Sequence, residues 1–225
     1  MENRKKLVVL TGAGMSVESG LSTFRGSGGM WGQHRVEDVA TIDAWCKDPE
    51  KVLDFYNIRR KELSGVYPND GHIVLATLEE DFDVEIITQN VDNLHEKAGS
   101  THITHLHGEL MKVRSTGPGA EVFELTPENL EIKLGDKCPK GYQLRPHIVW
   151  FGEAVSEMNK AINITEKADV FLVIGTSLNV YPAAGLLNYV LSGVPVYLID
   201  PNEVNVNGKN ITVIKKGAGE GMKEF

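Results

Sequence analysis

Thiols are scarce in this chain: 225 residues carry two cysteines, Cys46 and Cys138. Two thiols imply no disulfide framework. Excess positive charge is missing too, and a formal net charge of −8 counts against a nucleic-acid partner. No apolar run approaches the length of a membrane span, so no membrane partner is expected. Internal repeats and low-complexity segments are absent. The opening MENRKK runs straight into an apolar stretch, and a cytoplasmic protein acting as a monomer is expected.

What is present begins with Lys6 to Gly26, KLVVLTGAGMSVESGLSTFRG. Leu7 to Leu10 are four apolar residues in a row, which reads as a strand buried on both faces. Thr11-Gly12-Ala13-Gly14 follows, and Ser16 is a candidate helix cap. A strand, a Gly-rich turn and a helix start place bare backbone N–H groups at a positive helix end, a pocket for phosphate. A full G-x-G-x-x-G is not there, because Val17 stands at the third glycine, and no Gly-Lys-Ser/Thr follows to make a nucleoside-triphosphate loop. Ser19 to Gly26 is polar and Gly-punctuated, which fits a loop closing over a ligand better than a continuing helix.

Further along, Pro49 to Val66 has helical spacing of Val52, Phe55, Tyr56, Arg59 and Leu63. A turn at Pro68 to Gly71 precedes a second helix to Glu80. Strands are expected at 84–88, 103–105, 170–174, 194–199 and 211–214. Strands alternating with helices predict an α/β fold, a Rossmann-like parallel sheet with helices on both faces and a smaller inserted module. Residues 1–26, 71–107 and 148–225 are assigned to the sheet domain; 27–70 and 108–147 to the module. Function is expected at the C-terminal ends of the strands, in a cleft between the two parts.

The polar motifs fall at those ends. In TQNVDNLH, residues 88 to 95, Asn90 and Asp92 leave a strand end two residues apart. They either cap a helix or face the cleft, where an amide and a carboxylate suit a carboxamide ligand. In HLHGEL, two histidines share one side of an extended chain; without a cysteine cluster they are poor metal ligands. His107, just before Gly108, is the better candidate for a base. LRPHIVWFGE, from Leu144 to Glu153, is either a core strand or a segment that lets another backbone approach at Gly152.

GAGMS with SGLSTFRG, TQNVDNLH, the His-Gly step, LRPHIVWFGE and Gly175-Thr176-Ser177 together resemble the sirtuins, the NAD-dependent protein deacylases. The matches run from residue 7 to about 202. The resemblance implies NAD as cosubstrate and His107 as general base. Gly12, Ala13, Gly14, Ser16, Thr23, Phe24 and Arg25 are implied as NAD contacts. Gln89 and Asn90 are implied at the nicotinamide ribose, and Asp92 at the carboxamide. Gly175, Thr176, Ser177 and Asp200 are implied at the adenosine half; the family commonly has Asn where Asp200 stands, and Asp still accepts ribose hydroxyls. Val149, Phe151, Gly152 and Glu153 are implied to pair with an acyl-lysine protein substrate by strand addition. FYNIRR resembles class III members, in which a Tyr-x-x-Arg pair reads the carboxylate of succinyl- or malonyl-lysine. Here that pair is Tyr56 and Arg59, and Ala40 matches a small residue that widens the acyl pocket. The implied reaction releases nicotinamide and O-acyl-ADP-ribose. An ADP-ribosyltransferase or NAD hydrolase on the same fold, and a non-catalytic NAD-binding protein, are the alternatives.

Two departures stand out. The family's structural zinc takes two C-x-x-C pairs, which fall here on Ser115 and Pro118, then on Cys138 and Gly141. One thiolate of four makes no tetrahedral site, so no structural zinc is expected unless His or Asp from elsewhere completes it. Val113, Val122, Phe123, Leu125, Leu130, Ile132 and Leu134 are the candidate core that replaces it. Gly217 to Glu220 resembles the lead into the family's last helix, which is expected to be short or cut.

Overall fold

A computed structural model of the chain describes residues 4–22, 35–204 and 211–225. Six strands form a fully parallel sheet: β1 (Lys6–Thr11), β2 (Asp83–Thr88), β3 (Ile103–His105), β7 (Val170–Ile174), β8 (Val196–Ile199) and β9 (Ile211–Ile214). Their order is β3-β2-β1-β7-β8-β9. The chain therefore winds outward from β1 in one direction and then from β7 in the other. The step between β1 and β7 is the topological switch point, where the winding of the chain reverses.

The apolar run of β1 follows from its central place. Leu7 and Val9 enter one core with Met15, Leu75, Ile86, Leu172, Ile174 and Met222. Val8 and Leu10 enter the opposite core with Ile87, Leu106, Phe171, Val173 and Leu198. Each of the four is fully buried. Helices α4 (Asp70–Thr77) and α7 (Ala218–Met222) contribute to the first core, and α6 (Met158–Thr165) to the second. The last helix is thus short, as expected.

The predicted elements shift only at their ends. The helix expected from Pro49 to Val66 is α3 (Pro49–Ser64), capped by the Asp48 side chain and ended at Gly65. The helix expected to Glu80 tightens after Thr77 into a 3-10 turn at Leu78–Glu80. The strand expected from Val194 begins at Val196. Two short helices, α1 (Val36–Val39) and α2 (Ile42–Lys47), precede α3, and α5 (Leu94–Ala98) follows β2. Among the described residues, no helix is long and apolar enough to cross a membrane.

A second sheet is antiparallel, with order β5-β4-β6 from β4 (Gly108–Ser115), β5 (Val122–Glu124) and β6 (Leu144–Ile148). Its apolar side does not close on itself as the sequence pattern suggested. Val113 and Ile132 are buried, but they pack on Leu53 of α3, with Phe123 and Leu125 at the margin. Val122 and Leu134 face solvent. Leu110 of β4 and Ile148 of β6 are buried too, in a cluster with Val52, Phe55, Tyr56 and Leu63 of α3, so the sheet's apolar burial, about 1.5–3 kcal/mol for each such side chain, is made against that helix. The same helix adds polar contacts. Asn57 donates to the Ile132 carbonyl at 2.9 Å and accepts from the Ile132 N–H at 3.0 Å. Arg60, fully buried, donates to the Leu110 carbonyl at 2.8 Å and to Asn57 Oδ1 at 2.8 Å. Burial without a carboxylate partner pushes the Arg60 pKa down to about 10.

Candidate active site

The loops that leave β1 and β7 touch. Gly12 N–H donates to the Ile174 carbonyl at 3.0 Å, and Gly14 N–H to the Gly175 carbonyl at 2.8 Å. A Cβ on Gly12 would lie 2.6 Å from Thr176 Cβ, and one on Gly14 would lie 2.7 Å from Gly175 Cα. The glycines therefore answer to backbone packed on backbone. At the expected turn, the N–H groups of Gly12, Gly14 and Met15 meet carbonyls, so these three are not bare. The helix that follows, Ala13–Ser19, is of the 3-10 type and ends at Gly20 with φ 94°. Its start has no side-chain cap, so Ser16 is not a capping residue.

Ser16 turns inward instead. Its hydroxyl donates to Asp92 Oδ2 at 3.0 Å and accepts from Asn90 Nδ2 at 3.2 Å. Asn90 Nδ2 also donates to the Gly12 carbonyl at 3.0 Å. Asp92 Oδ1 accepts the Leu94 N–H at 3.2 Å. Burial pushes the Asp92 pKa up, and the Leu94 N–H and Ser16 hydroxyl offset this only in part. Asp92 thus accepts the first N–H of α5, whose N-cap is Asn93, and lines the cavity at once. That cavity is lined by Ala13, Ser16, Arg59, Asn90, Val91, Asp92 and Leu110 among others. Gln89 donates to Thr176 Oγ1 at 3.1 Å, which ties the loop after β2 to the loop after β7. Thr176 is buried and Ser177 exposed. Asp200, buried at the end of β8, accepts from the Asn202 N–H at 2.8 Å. Thr23, Phe24 and Arg25 lie outside the described residues.

His107 leaves the end of β3 half-buried. Its Nδ1 lies 2.9 Å from the Gln89 carbonyl, which can only accept. The proton therefore sits on Nδ1, and Nε2 keeps its lone pair. Burial lowers the His107 pKa, and the Gln89 carbonyl partly restores it. Gly108 next to it has φ 81°, and a Cβ there would collide with the His147 carbonyl, so the His-Gly step is required by β6. His105 is built differently. Its Nε2 meets Glu96 at 2.7 Å and its Nδ1 the Asn90 carbonyl at 3.1 Å. Burial lowers its pKa, but Glu96, Glu109 and the carbonyl outweigh that and raise it overall. Glu96, His105 and Glu109 bring ligand atoms within 4.8 Å of one another, but Lys112 already pairs with Glu109 at 2.9 Å.

Tyr56 and Arg59 stand three residues apart on α3 but share no partner. The Tyr56 hydroxyl accepts from Trp150 Nε1 at 3.0 Å. Burial pushes its pKa up, well above the ordinary phenol value. Arg59 lines the cavity and donates to Glu62 at 2.7 Å. Ala40 is buried in the same cluster as Tyr56 and Trp150, and its carbonyl accepts from Phe151 N–H at 3.0 Å.

The 149–153 segment sits above this cluster. Val149 is half-buried, and its N–H donates to the His107 carbonyl at 2.9 Å. Phe151 and Gly152 are exposed, with Gly152 at φ 90°. Glu153 is occupied. It takes Arg145 at 2.8 and 2.9 Å, Arg114 at 3.0 and 3.1 Å, and the Trp150 N–H at 2.8 Å. Arg145 also lies 3.4 Å over the Trp150 ring. Burial raises the Glu153 pKa, but Arg145, the Trp150 N–H and Arg114 outweigh it and hold the carboxyl low. Its side chain shapes the loop rather than offering itself to a peptide. Arg114 and Arg145 were not singled out from the sequence. The available signal was Arg145 inside an apolar run, since a buried cation demands a counterion. Glu153→Gln keeps the volume and removes the charge. With the carboxylate side chain 20% exposed, the expected loss is about 3 kcal/mol, near the low end for breaking a buried pair. Denaturant unfolding measures it, and a loss under about 1 kcal/mol would show the cluster to be a surface pairing.

Comparison with known proteins agrees with this arrangement. A model of the Sir2 family matches residues 12–182. An NAD-dependent protein deacylase of Bacteroides thetaiotaomicron is 59% identical, covering 98% of this chain and 96% of that protein. One from Helicobacter pylori is 47% identical over 98% of this chain and 96% of its own length. Among solved structures, a Sir2 homologue in complex with ADP ribose superposes with a TM-score of 0.91 at 41% identity, covering 99% of this chain and 90% of that one. A Sir2–p53 peptide–NAD+ complex gives 0.79 at 30% identity, covering 99% and 92%. A crevice at the switch point of the sheet, a neutral histidine with a free Nε2 and these likenesses over nearly the whole length lead to one conclusion: the chain belongs to the Sir2 family.

Proposed function

We propose that this chain is an NAD-dependent protein-lysine deacylase whose range extends to succinyl and malonyl groups. The observation that carries the reading is His107. Its Nδ1–H is committed to the Gln89 carbonyl at 2.9 Å, so Nε2 is a ready base beside the Gln89–Asp92 loop. The residues fit NAD: a buried carboxylate with only neutral donors on it, Asp92, suits the amide N–H groups of a carboxamide. When bound, NAD supplies a ribose carbon that releases nicotinamide and accepts the acyl oxygen. Asp92 and Asn90 hold the nicotinamide side in this reading, and Thr176, Ser177 and Asp200 the adenosine side. His107 Nε2 takes the proton of a ribose hydroxyl, which is local base catalysis on a positioned substrate. Val149, Phe151 and Gly152 receive the peptide, and Arg114, Arg145 and Glu153 hold that segment in shape. An NAD hydrolase would need no such segment, and product analysis with NAD alone against NAD plus acyl-peptide separates the two.

His107→Ala should cost ~10²–10⁴ in deacylation rate while leaving NAD affinity largely intact. The base must be unprotonated. Because burial lowers its pKa from 6.5, activity should persist as pH falls to that value and decline only below it. A kcat/KM profile whose acid limb lies above 6.5 would remove His107 from the role.

Acyl choice rests on Arg59. A dicarboxylic acyl chain brings a carboxylate into an apolar channel, where leaving it unpaired is costly. A guanidinium meets it with parallel N–H donors. Arg59→Met should lower kcat/KM for succinyl-lysine ~10–100-fold and leave acetyl-lysine nearly unchanged, given about 1.5–3 kcal/mol for each hydrogen bond to a charge. Equal losses on both peptides would assign Arg59 to the fold.

The small module is read as zinc-free. Of the family's four ligand positions, Ser115 and Cys138 are 3.3 Å apart and bonded to each other, and Tyr142 packs its ring on Gly117. Pro118 has no ligand atom and Gly141 no side chain. The residues do not fit a tetrahedral metal. Purified protein should hold no stoichiometric zinc, and a chelator should leave its Tm unchanged; one zinc per chain, lost only on unfolding, would reverse the reading.

A further inference from the structure

Beneath the nicotinamide-side residues lies a pair of buried histidines that the reaction does not use. His72 and His95 are both almost wholly inaccessible, and their ring centres are 4.9 Å apart. Each has one buried ring nitrogen without a partner: Nε2 of His72 and Nδ1 of His95. A buried polar group left unmet is costly, so two such groups on neighbouring rings call for a common cause.

Tautomers supply it. The Asn69 N–H, a backbone donor, points at His72 Nδ1 at 3.3 Å. Nδ1 is therefore bare, and a neutral His72 carries its proton on Nε2. That proton needs an acceptor. A bare Nδ1 on His95 provides one, and then His95 Nε2 is the protonated nitrogen. Nε2 lies 3.1 Å from Thr11 Oγ1, which accepts from it and passes its own hydrogen to Thr88 Oγ1 at 2.8 Å. Thr88 Oγ1 also accepts the Asn90 N–H at 3.0 Å. One backbone N–H thus fixes the direction of every hydrogen bond along the chain. Burial favours the neutral form of both rings, holding His72 down to about 4 and His95 well below its ordinary value.

Both ends of this chain grip the site. Asn69 donates through its side chain to the Met15 carbonyl at 2.8 Å and to Ser19 Oγ at 3.1 Å, beyond the Gly-rich turn. Thr88 holds the backbone of Asn90. We infer that His72 Nε2–H and His95 Nδ1 are joined through one bridging water, and that this pair is a positioning device which sets Asn90 and the 15–19 segment against each other for NAD. The positioning part rests on the reading of Asn90 as an NAD contact; the tautomers do not.

The test has two arms. Ring-nitrogen NMR of histidine-labelled wild-type protein at pH 7 should show both rings neutral, with protonated Nε2 and bare Nδ1; a protonated Nδ1 or a charged ring at either residue overturns the pairing. His72→Asn keeps an acceptor for the Asn69 N–H and removes Nε2–H, so the His95 nitrogen resonances should move, and unmoved resonances overturn it as well. In the kinetic arm, His95→Gln reaches the Nε2 level and retains a donor for Thr11, whereas His95→Asn does not. KM for NAD should rise roughly fivefold to tenfold in His95→Asn, the worth of one hydrogen bond. It should rise less in His95→Gln, which keeps the donor to Thr11 and loses only the link to His72, with KM for acyl-peptide unchanged in both. Asn90→Ala separates the two readings. A wild-type KM for NAD there removes Asn90 from the site; a raised one, with His95→Asn unmoved, removes the positioning role of the pair.

Discussion

Everything at the strand ends depends on how closely the loop after β1 approaches the loop after β7. Gly12 and Gly14 lie against Gly175 and Thr176 with no room for a Cβ, and two backbone hydrogen bonds seal the approach. That contact closes the floor of the crevice. It also spends the N–H groups that a Gly-rich turn otherwise offers to phosphate. The space above is then organised by side chains, with Ser16 at the centre between Asn90 and Asp92.

A second layer of order comes from buried polar groups that are satisfied in one direction only. Carbonyls and backbone N–H groups cannot exchange roles, so they dictate the protons of whatever they touch. The Gln89 carbonyl does this to His107, and the Asn69 N–H does it to His72. In both places a main-chain group decides the chemical state of an imidazole. His105 shows the contrast: a carboxylate on one side and a carbonyl on the other favour its charged form, which unsuits it as a base.

Much of this was legible from the residues. A run such as Leu7–Leu10 belongs in a strand covered on both faces, and strings such as TQNVDNLH cluster where parallel strands end. What stayed hidden involves partners distant in sequence. Glu153 reads as part of the substrate segment until Arg114, 39 residues away, is seen on it. The turn after β1 has the letters of a phosphate loop, but its N–H partners sit on β7 and the residue that follows it. The apolar residues of the small sheet pointed to a core of their own, yet Val113 and Ile132 needed Leu53 from α3. Spacing reveals periodicity along one element; it does not reveal which element covers which.

Under the proposed reading of Arg59 as the contact for an acidic acyl group, its ion pair with Glu62 is a built-in competitor. Arg59 does not wait unoccupied; its guanidinium already holds a carboxylate at 2.7 Å, from a residue whose side chain is 52% exposed. An acidic acyl chain therefore exchanges one carboxylate partner for another, and Glu62 returns to water, where its charge is well solvated. The gain is the difference between a sheltered pair and an exposed one, smaller than the whole strength of the new contact. Neutral acyl chains ask for no exchange and leave the arginine where it is. In that reading Glu62 is the reference acid against which an acidic acyl group is weighed.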